Sequence, residues 1–282
     1  MAEGVIYSAG WTLDDVQWSK FDAAKIEPGL LAAVKAASLV EYNAPDYVNY
    51  LKRVFQDAGD RTLADIDQWG IEETQHGLAL GRWSELADPS FNFKASFARF
   101  REGYKAPHFF SDDTASVRGS RCGEMVARCV VESGTSSFYS AIRDAAQEPV
   151  LKEIAGRIAA DEFRHYKLFY ETLQHQDAMP FWRKLIVALT RVNESEDDEL
   201  GYAYYAANIS PDVPYRREEF SRAYNAQAFS LYRSHHVHKL VQMIAKAVGA
   251  NPQSRITQMA GALAWRAIRM KASLSAASAR AA

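Results

Sequence analysis

Four glutamates in this chain fall on helical stripes that are otherwise apolar, and that placement restricts the fold more than any other feature. Over about residues 29–58, Val34, Ala37, Glu41, Ala44, Val48, Leu51 and Phe55 recur at steps of three and four, the spacing of one helix face. Over about 61–86 the stripe is Ile66, Trp69, Glu73, His76, Leu80 and Trp83. Over about 115–146 it is Met125, Cys129, Glu132, Thr135, Tyr139 and Ile142. From Pro149, a residue suited to a first helical turn, it is Leu151, Ile154, Ile158, Glu162, His165, Phe169 and Thr172. A buried carboxylate without a partner is very costly. Four of them on inward faces must converge on compensating charge.

Two of the four are followed three residues later by histidine, Glu73 by His76 and Glu162 by His165. Residues i and i+3 are neighbours on a helix face, so each pair can grip one metal ion. A single Glu-x-x-His arises by chance about 0.4 times in a chain of this composition and carries little weight alone. Two copies on apolar stripes, each preceded along the chain by a lone inward glutamate, carry much more. The order Glu, Glu-x-x-His, Glu, Glu-x-x-His is the ligand set of carboxylate bundles that hold two metal ions. Four carboxylates nearly neutralise two divalent ions, and carboxylate with imidazole suits iron or manganese. The competing reading, surface helices with ordinary glutamate ion pairs, leaves four inward carboxylates unsatisfied.

The rest of the chain reads as helix and loop, with no β pattern. Residues 1–28, punctuated by Gly10 and Pro28, form an N-terminal arm anchored by Trp11, Trp18 and Phe21. The four-helix core spans 29–176. Pro45 clashes with the carbonyl of Glu41, which predicts a kink there in one long helix. Phe93, Phe97, Phe100 and Tyr104 form the face of a short packing helix. Residues 177–282 form a helical extension packed on the core, with breaks near Pro211–Pro214 and Gly249–Pro252. Its Ala/Ser-rich tail from about 273 is expected to be disordered. The expected architecture is an all-α four-helix bundle with additional C-terminal helices.

The 33 basic and 35 acidic residues leave a net charge of −2, which argues against a nucleic-acid partner. Cys122 and Cys129 stand two helical turns apart, too far for a disulfide, and fit a reducing cytoplasm. No basic-then-apolar leader and no membrane-spanning apolar run are visible, so the expected location is cytoplasmic. His235, His236 and His238 read as surface or packing histidines, since no carboxylate lies within a turn on their face. Tyr42, Tyr47 and Tyr50 beside Glu41 read as aromatic packing rather than a redox tyrosine. The last helix, about 252–272, carries Arg255, Arg266, Arg269 and Lys271 with Trp265 and Ile268. It reads as a solvated basic face, with docking to an acidic carrier protein or a membrane as the alternatives.

The residues around the ligand pairs resemble one family. Glu72-Glu73-Thr74-Gln75-His76-Gly77 resembles the Glu-Glu-x-Arg-His-Gly motif of the soluble acyl-carrier-protein desaturases. Ile158-Ala159-Ala160-Asp161-Glu162-Phe163-Arg164-His165 resembles their Ile-Ala-Ala-Asp-Glu-x-Arg-His segment, and Glu132 with Thr135 resembles their Glu-x-x-Thr. The resemblance covers about residues 35–175. The paired Glu-x-x-His motifs are shared by ferritin-like di-iron proteins at large; Asp161, Arg164, Gly77 and Thr135 point to the desaturase branch. Gln75 in place of Arg and Phe163 in place of a basic residue depart from the pattern, which puts the acyl-carrier substrate in doubt.

The resemblance implies a ferritin-like fold and six iron ligands: Glu41, Glu73, His76, Glu132, Glu162 and His165. It implies that Thr135 lies over the oxygen-binding face and assists proton delivery. The competing reading of Thr135 is a hydroxyl bonded to a carbonyl of its own helix. Asp161 would accept a hydrogen bond from the free nitrogen of His76, and Arg164 would pair with a carboxylate near the cluster. The implied activity is oxygen-dependent oxidation of an apolar small molecule at two iron ions, acyl-chain desaturation first. Hydroxylation, N-oxygenation or a ferroxidase are the alternatives. An external electron donor such as a ferredoxin, an acyl carrier protein and a second copy of the chain are the expected partners.

Overall fold

The computed structural model describes residues 10–106, 109, 113–194 and 198–281, with side chains as far as Ala272. Over those residues the chain is all-α. Residues 1–9 of the expected arm lie outside them. Four long helices carry the glutamate stripes: α1 (Pro28–Tyr42), α3 (Asp60–Ala87), α5 (Arg121–Ala145) and α6 (Pro149–Gln174). α2 (Ala44–Val54) continues from α1, and α4 (Phe93–Gly103) is the short packing helix.

Local chemistry explains where these helices begin. Pro149 opens α6, and the carboxylate of Glu148 accepts from the Leu151 N–H at 2.7 Å. The same carboxylate accepts from Trp83 Nε1 of α3 at 2.7 Å and from the Asp22 N–H of the arm at 3.1 Å. One buried cap therefore fastens three segments. α5 begins at Arg121, later than the expected 115, because Gly119 turns the chain at φ +78. Ser120 then caps the helix by accepting from the Gly123 N–H at 3.0 Å.

The expected single helix over 29–58 is broken rather than kinked. α1 ends at Tyr42, Asn43 forms the joint, and Pro45 falls in the first turn of α2, where a missing N–H costs nothing. Ending α1 there removes the clash that a continuous helix would create at Glu41.

The C-terminal region forms α7 (Phe181–Glu194), α8 (Asp198–Asn208), α9 (Arg217–Leu231), α10 (Ser234–Val248) and α11 (Arg255–Ala281). The break between α9 and α10 has no proline or glycine to announce it. There the His236 ring turns back and its Nδ1 accepts from the Arg233 N–H at 3.0 Å, capping α10. The backbone stays helical to Ala281, so the tail expected to be disordered continues α11; alanine is the strongest helix former. No helix of the described residues is long and apolar enough to cross a membrane.

α5 lies along α6, α1 lies along α3, and α3 touches α6. α8 and α9 cover α1, α7 and α10 cover α5, and α11 lies over α9 and α10. The interior holds two apolar clusters, one around Leu39, Trp83, Phe100, Ile142 and Ile154, the other around Leu51, Phe55, Met125 and Phe169. Along α3, α5 and α6 the inward Glu or His residues fall between stretches assigned to one cluster and stretches assigned to the other, while Glu41 follows the first-cluster stretch of α1 and the second cluster is taken up in α2. In α5, Met125 and Cys129 precede Glu132, and Tyr139 and Ile142 follow it. In the arm, Trp11 is buried, while Trp18 and Phe21 pack partly buried against the first cluster.

Gly77 marks a close approach of α1 and α3. A Cβ there would meet the Tyr42 backbone N at 2.5 Å and its Cα at 2.8 Å. Backbone cannot yield as a side-chain tip can. Gly77→Ala is expected to cost about 1–3 kcal/mol of stability, the usual penalty of overpacking. Urea denaturation measures it, and a neutral or stabilising result would contradict the close approach.

Candidate metal centre

Glu41 sits in the last turn of α1, Glu73 and His76 halfway along α3, Glu132 in α5, and Glu162 with His165 in α6. None of the six is more than 8% exposed. They form two lobes, Glu41, Glu73, His76 and Glu162 in one, Glu73, Glu132, Glu162 and His165 in the other. Within each lobe the candidate ligand atoms all lie within 4.8 Å of one another.

His76 Nδ1 lies 3.2 Å from Glu162 Oε1, 3.8 Å from Glu73 Oε2 and 4.0 Å from Glu41 Oε2. His165 Nδ1 lies 3.0 Å from Glu73 Oε1, 3.7 Å from Glu132 Oε2 and 3.9 Å from Glu162 Oε2. Glu73 and Glu162 thus each turn one oxygen to either lobe. Yet both Nδ1 atoms, both Glu132 oxygens and Glu162 Oε1 are buried without a hydrogen-bond partner. Orphaned buried acceptors and ring nitrogens aimed at one another are costly unless something else satisfies them.

The electrostatics record that tension. Burial pushes Glu41 and Glu132 well above the usual carboxylate range, and the neighbouring carboxylates add to it. Burial would raise Glu73 and Glu162 too. Polar contacts with Glu41 and the two histidines bring Glu73 well below the usual range, and the two histidines bring Glu162 below it. Burial would lower His76, but Asp161, Glu162 and Glu73 hold it well above the usual imidazole value. His165 is held up likewise by Glu132, Glu162, Glu72 and Glu73. Without metal, Glu41, Glu132, His76 and His165 are thus all biased toward their protonated forms.

The outer nitrogens are fixed by a reciprocal arrangement. His76 Nε2 lies 3.0 Å from Asp161 Oδ2, and His165 Nε2 lies 2.7 Å from Glu72 Oε2. Asp161 immediately precedes Glu162, and Glu72 immediately precedes Glu73. Each acidic-Glu-x-x-His segment therefore orients the histidine of the other. Both Nε2 atoms face carboxylates, so each ring can present its Nδ1 lone pair inward once the inward proton leaves. Arg164 joins the two outer carboxylates, bonded to Asp161 and 3.5 Å from Glu72. Trp11 Nε1 donates to Asp161 Oδ2 at 2.7 Å, and its ring stacks on His76 with centroids 6.1 Å apart. Gln75 donates to the Trp11 carbonyl at 2.9 Å, so this departure from the family pattern pins the arm.

Thr135 Oγ1 lies 2.6 Å from Glu162 Oε2 and 3.3 Å from the Val131 and Glu132 carbonyls of its own helix. Both readings of that hydroxyl are therefore available to one side chain. Tyr139, fully buried, donates its hydroxyl to Glu41 Oε1 at 2.5 Å. Phe163 is 39% exposed, stacks on Tyr166 and lies under the Lys239 ammonium. A groove of about 40 Å³ between α3 and α6, lined by Asp65, Gln68, Trp69, Glu72, Arg164 and His165, reaches the outer side of His165.

Three contributors escaped the sequence reading: Glu72, Trp11 as a partner of Asp161, and Tyr139 as a partner of Glu41. Only Glu72 left a local signal, the acidic residue that precedes both ligand glutamates. The structure also brings Asp144 of α5 to His235 and His236, a carboxylate absent from their own helix face. His236 Nδ1 already accepts the Arg233 N–H, so its Nε2 is the protonated nitrogen and donates to Asp144 at 3.0 Å. That grouping is a capped, hydrogen-bonded histidine. No family model matches the chain, and no curated protein matches it.

The raised groups set a pH dependence for the metal-free chain. Above about pH 5 the lowered carboxylates are ionised in both folded and unfolded chains, so the raised groups dominate the titration, opposed by His236, which burial lowers. A raised histidine or carboxylate stabilises fully below its unfolded value and loses that contribution as pH climbs through its folded value. Thermal melts in chelator should therefore fall steadily from pH 5 to pH 9. A flat or rising profile would contradict that bias toward protonated forms.

Proposed function

We propose that this chain is a ferritin-like di-iron oxidoreductase that activates dioxygen. The observation that carries the reading is the convergence of Glu41, Glu73, His76, Glu132, Glu162 and His165 with five orphaned ligand atoms among them. Hydrogen bonds within the protein leave those atoms unsatisfied, whereas two divalent ions would satisfy them. The donor set of four carboxylates and two imidazoles fits iron or manganese. Glu73 and Glu162 would bridge the lobes, Glu41 with His76 and Glu132 with His165 completing each. Bound there, a pair of iron ions supplies the reduction of dioxygen and the oxidising power to break an unactivated C–H bond.

The protein's own residues do the remainder. Asp161 and Glu72 hold the two imidazoles by Nε2 and raise their basicity as ligands. Thr135 holds a hydroxyl proton 2.6 Å from Glu162 Oε2, placed to pass it to the centre or take it back. Trp11, Asp161 and His76 form a continuous hydrogen-bonded line from the arm to one lobe, suited to carry electrons from an external donor such as a ferredoxin. The apolar clusters on either side exclude water. The resemblance of the motifs favours acyl-chain desaturation, with an acyl carrier protein as substrate carrier and a homodimer as assembly. A second reading, a ferroxidase, is favoured by one observation: the groove beside His165 opens to solvent next to the outer acid Glu72, a route by which ions could reach the centre.

Anaerobic ferrous loading followed by metal analysis tests the proposal, with close to two irons per chain expected. Metal should also raise the melting temperature. Glu132→Gln should abolish that rise while leaving the metal-free chain as stable or more so, because one repelling carboxylate is gone. Glu72→Gln should weaken metal binding about 10–100-fold, the usual loss when an orienting carboxylate is removed. Failure to take up iron under these conditions would end the di-iron reading. A transient visible band on oxygen exposure supports oxygen activation. Accumulation of ferric mineral without substrate turnover favours the ferroxidase.

A further inference from the structure

α11 turns a line of apolar side chains to solvent. Ile256 is 80% exposed, Met259 65% and Leu263 61%. Ile256, Leu263 and Met270 recur every seven residues and share one line along the helix, with Met259 and Arg266 on the line beside it. The opposite side faces the protein: Thr257 is buried, and Gly261 lies against the His238 ring of α10. The line is bordered by cations. Arg255, Arg266 and Arg269 follow one edge and Lys271 stands at the other. From Arg255 to Ala272 there is no Asp or Glu, although the whole chain carries a net charge of −2.

We propose that α11 seats the protein on an anionic phospholipid surface. The helix would lie in the plane of the interface, with Ile256, Met259 and Leu263 in the boundary between headgroups and acyl chains. Arg255, Arg266 and Arg269 would reach lipid phosphates along the rim. An apolar line with basic borders and no acid is the pattern of helices that lie on membranes rather than cross them. Long arginine stems can cover apolar surface while the guanidinium stays in the headgroup layer. A second copy of the chain is a poor occupant, because pairing two such faces opposes their arginines. A protein partner would have to bring a groove with acid along its rim, since α11 supplies only a convex ridge. The proposal rests on α11 alone and is independent of the metal reading.

Co-sedimentation of the purified full chain with vesicles tests it. Vesicles of phosphatidylcholine with about 30% phosphatidylglycerol should bind the protein, phosphatidylcholine alone should not, and raised salt should release it. Arg266→Glu with Arg269→Glu should weaken binding at least about twenty-five-fold, at roughly fivefold per basic residue removed. Ile256→Ser with Leu263→Ser should abolish binding without changing helix content by circular dichroism, since both side chains point outward. Equal binding to neutral and anionic vesicles, or no loss in either variant, overturns the proposal. So does a dimer, seen by sedimentation equilibrium, that the serine variant dissociates while vesicles bind nothing; a second copy then covers the face.

Discussion

The arrangement of this fold depends on burying six ionisable side chains in one layer. Four carboxylates and two imidazoles lie between two apolar clusters, each almost wholly removed from water. Desolvation alone would make such a layer intolerable. The chain answers with an outer ring of partners: Asp161 and Glu72 on the imidazoles, Arg164 across those two acids, Tyr139 on Glu41 and Thr135 on Glu162. What remains unanswered faces inward, where protons or cations must supply the balance. The outer ring is therefore satisfied while five inner atoms have no hydrogen-bond partner.

The ring is built by exchange between the two halves of the site. α3 contributes Glu72 to the histidine of α6, and α6 contributes Asp161 to the histidine of α3. Each half supplies the carboxylate that fixes the outer nitrogen of the other half's imidazole, which couples the two lobes. The N-terminal arm joins the same network through Trp11, which links a loop segment to residues about 150 positions away. Burial of that indole, rather than arm helicity, fastens the described part of the arm to the core.

The six inward residues and the four helices that bear them were legible because helical periodicity is local and the cost of an inward charge is general. The break at Asn43 was half legible: Pro45 announced a defect, but whether a helix bends or ends depends on whether a new first turn can use the proline. Tyr139 sat on the predicted inner stripe, yet its bond to Glu41 depends on how α1 and α5 pack. Asp144 was invisible as a partner of His235 and His236 because the carboxylate arrives from another helix 91 residues earlier. Trp11 was read only as an anchor, since nothing local marks a donor for a distant aspartate. What sequence reasoning missed was contact across long separations rather than secondary structure.

The sandwiching of the polar layer between two oily clusters also acts as an index mark for assembly. Apolar stripes alone can mesh in several registers, because one leucine rung resembles the next. Sliding any core helix by one turn, about 5.4 Å, would carry its carboxylate out of the acid layer and bring another residue in, Ala37 in α1, Leu80 in α3, Cys129 in α5 or Phe169 in α6. Only one vertical alignment of α1, α3, α5 and α6 avoids both faults. The residues that make the middle of the protein hardest to bury are thus the ones that tell the four helices where to stop.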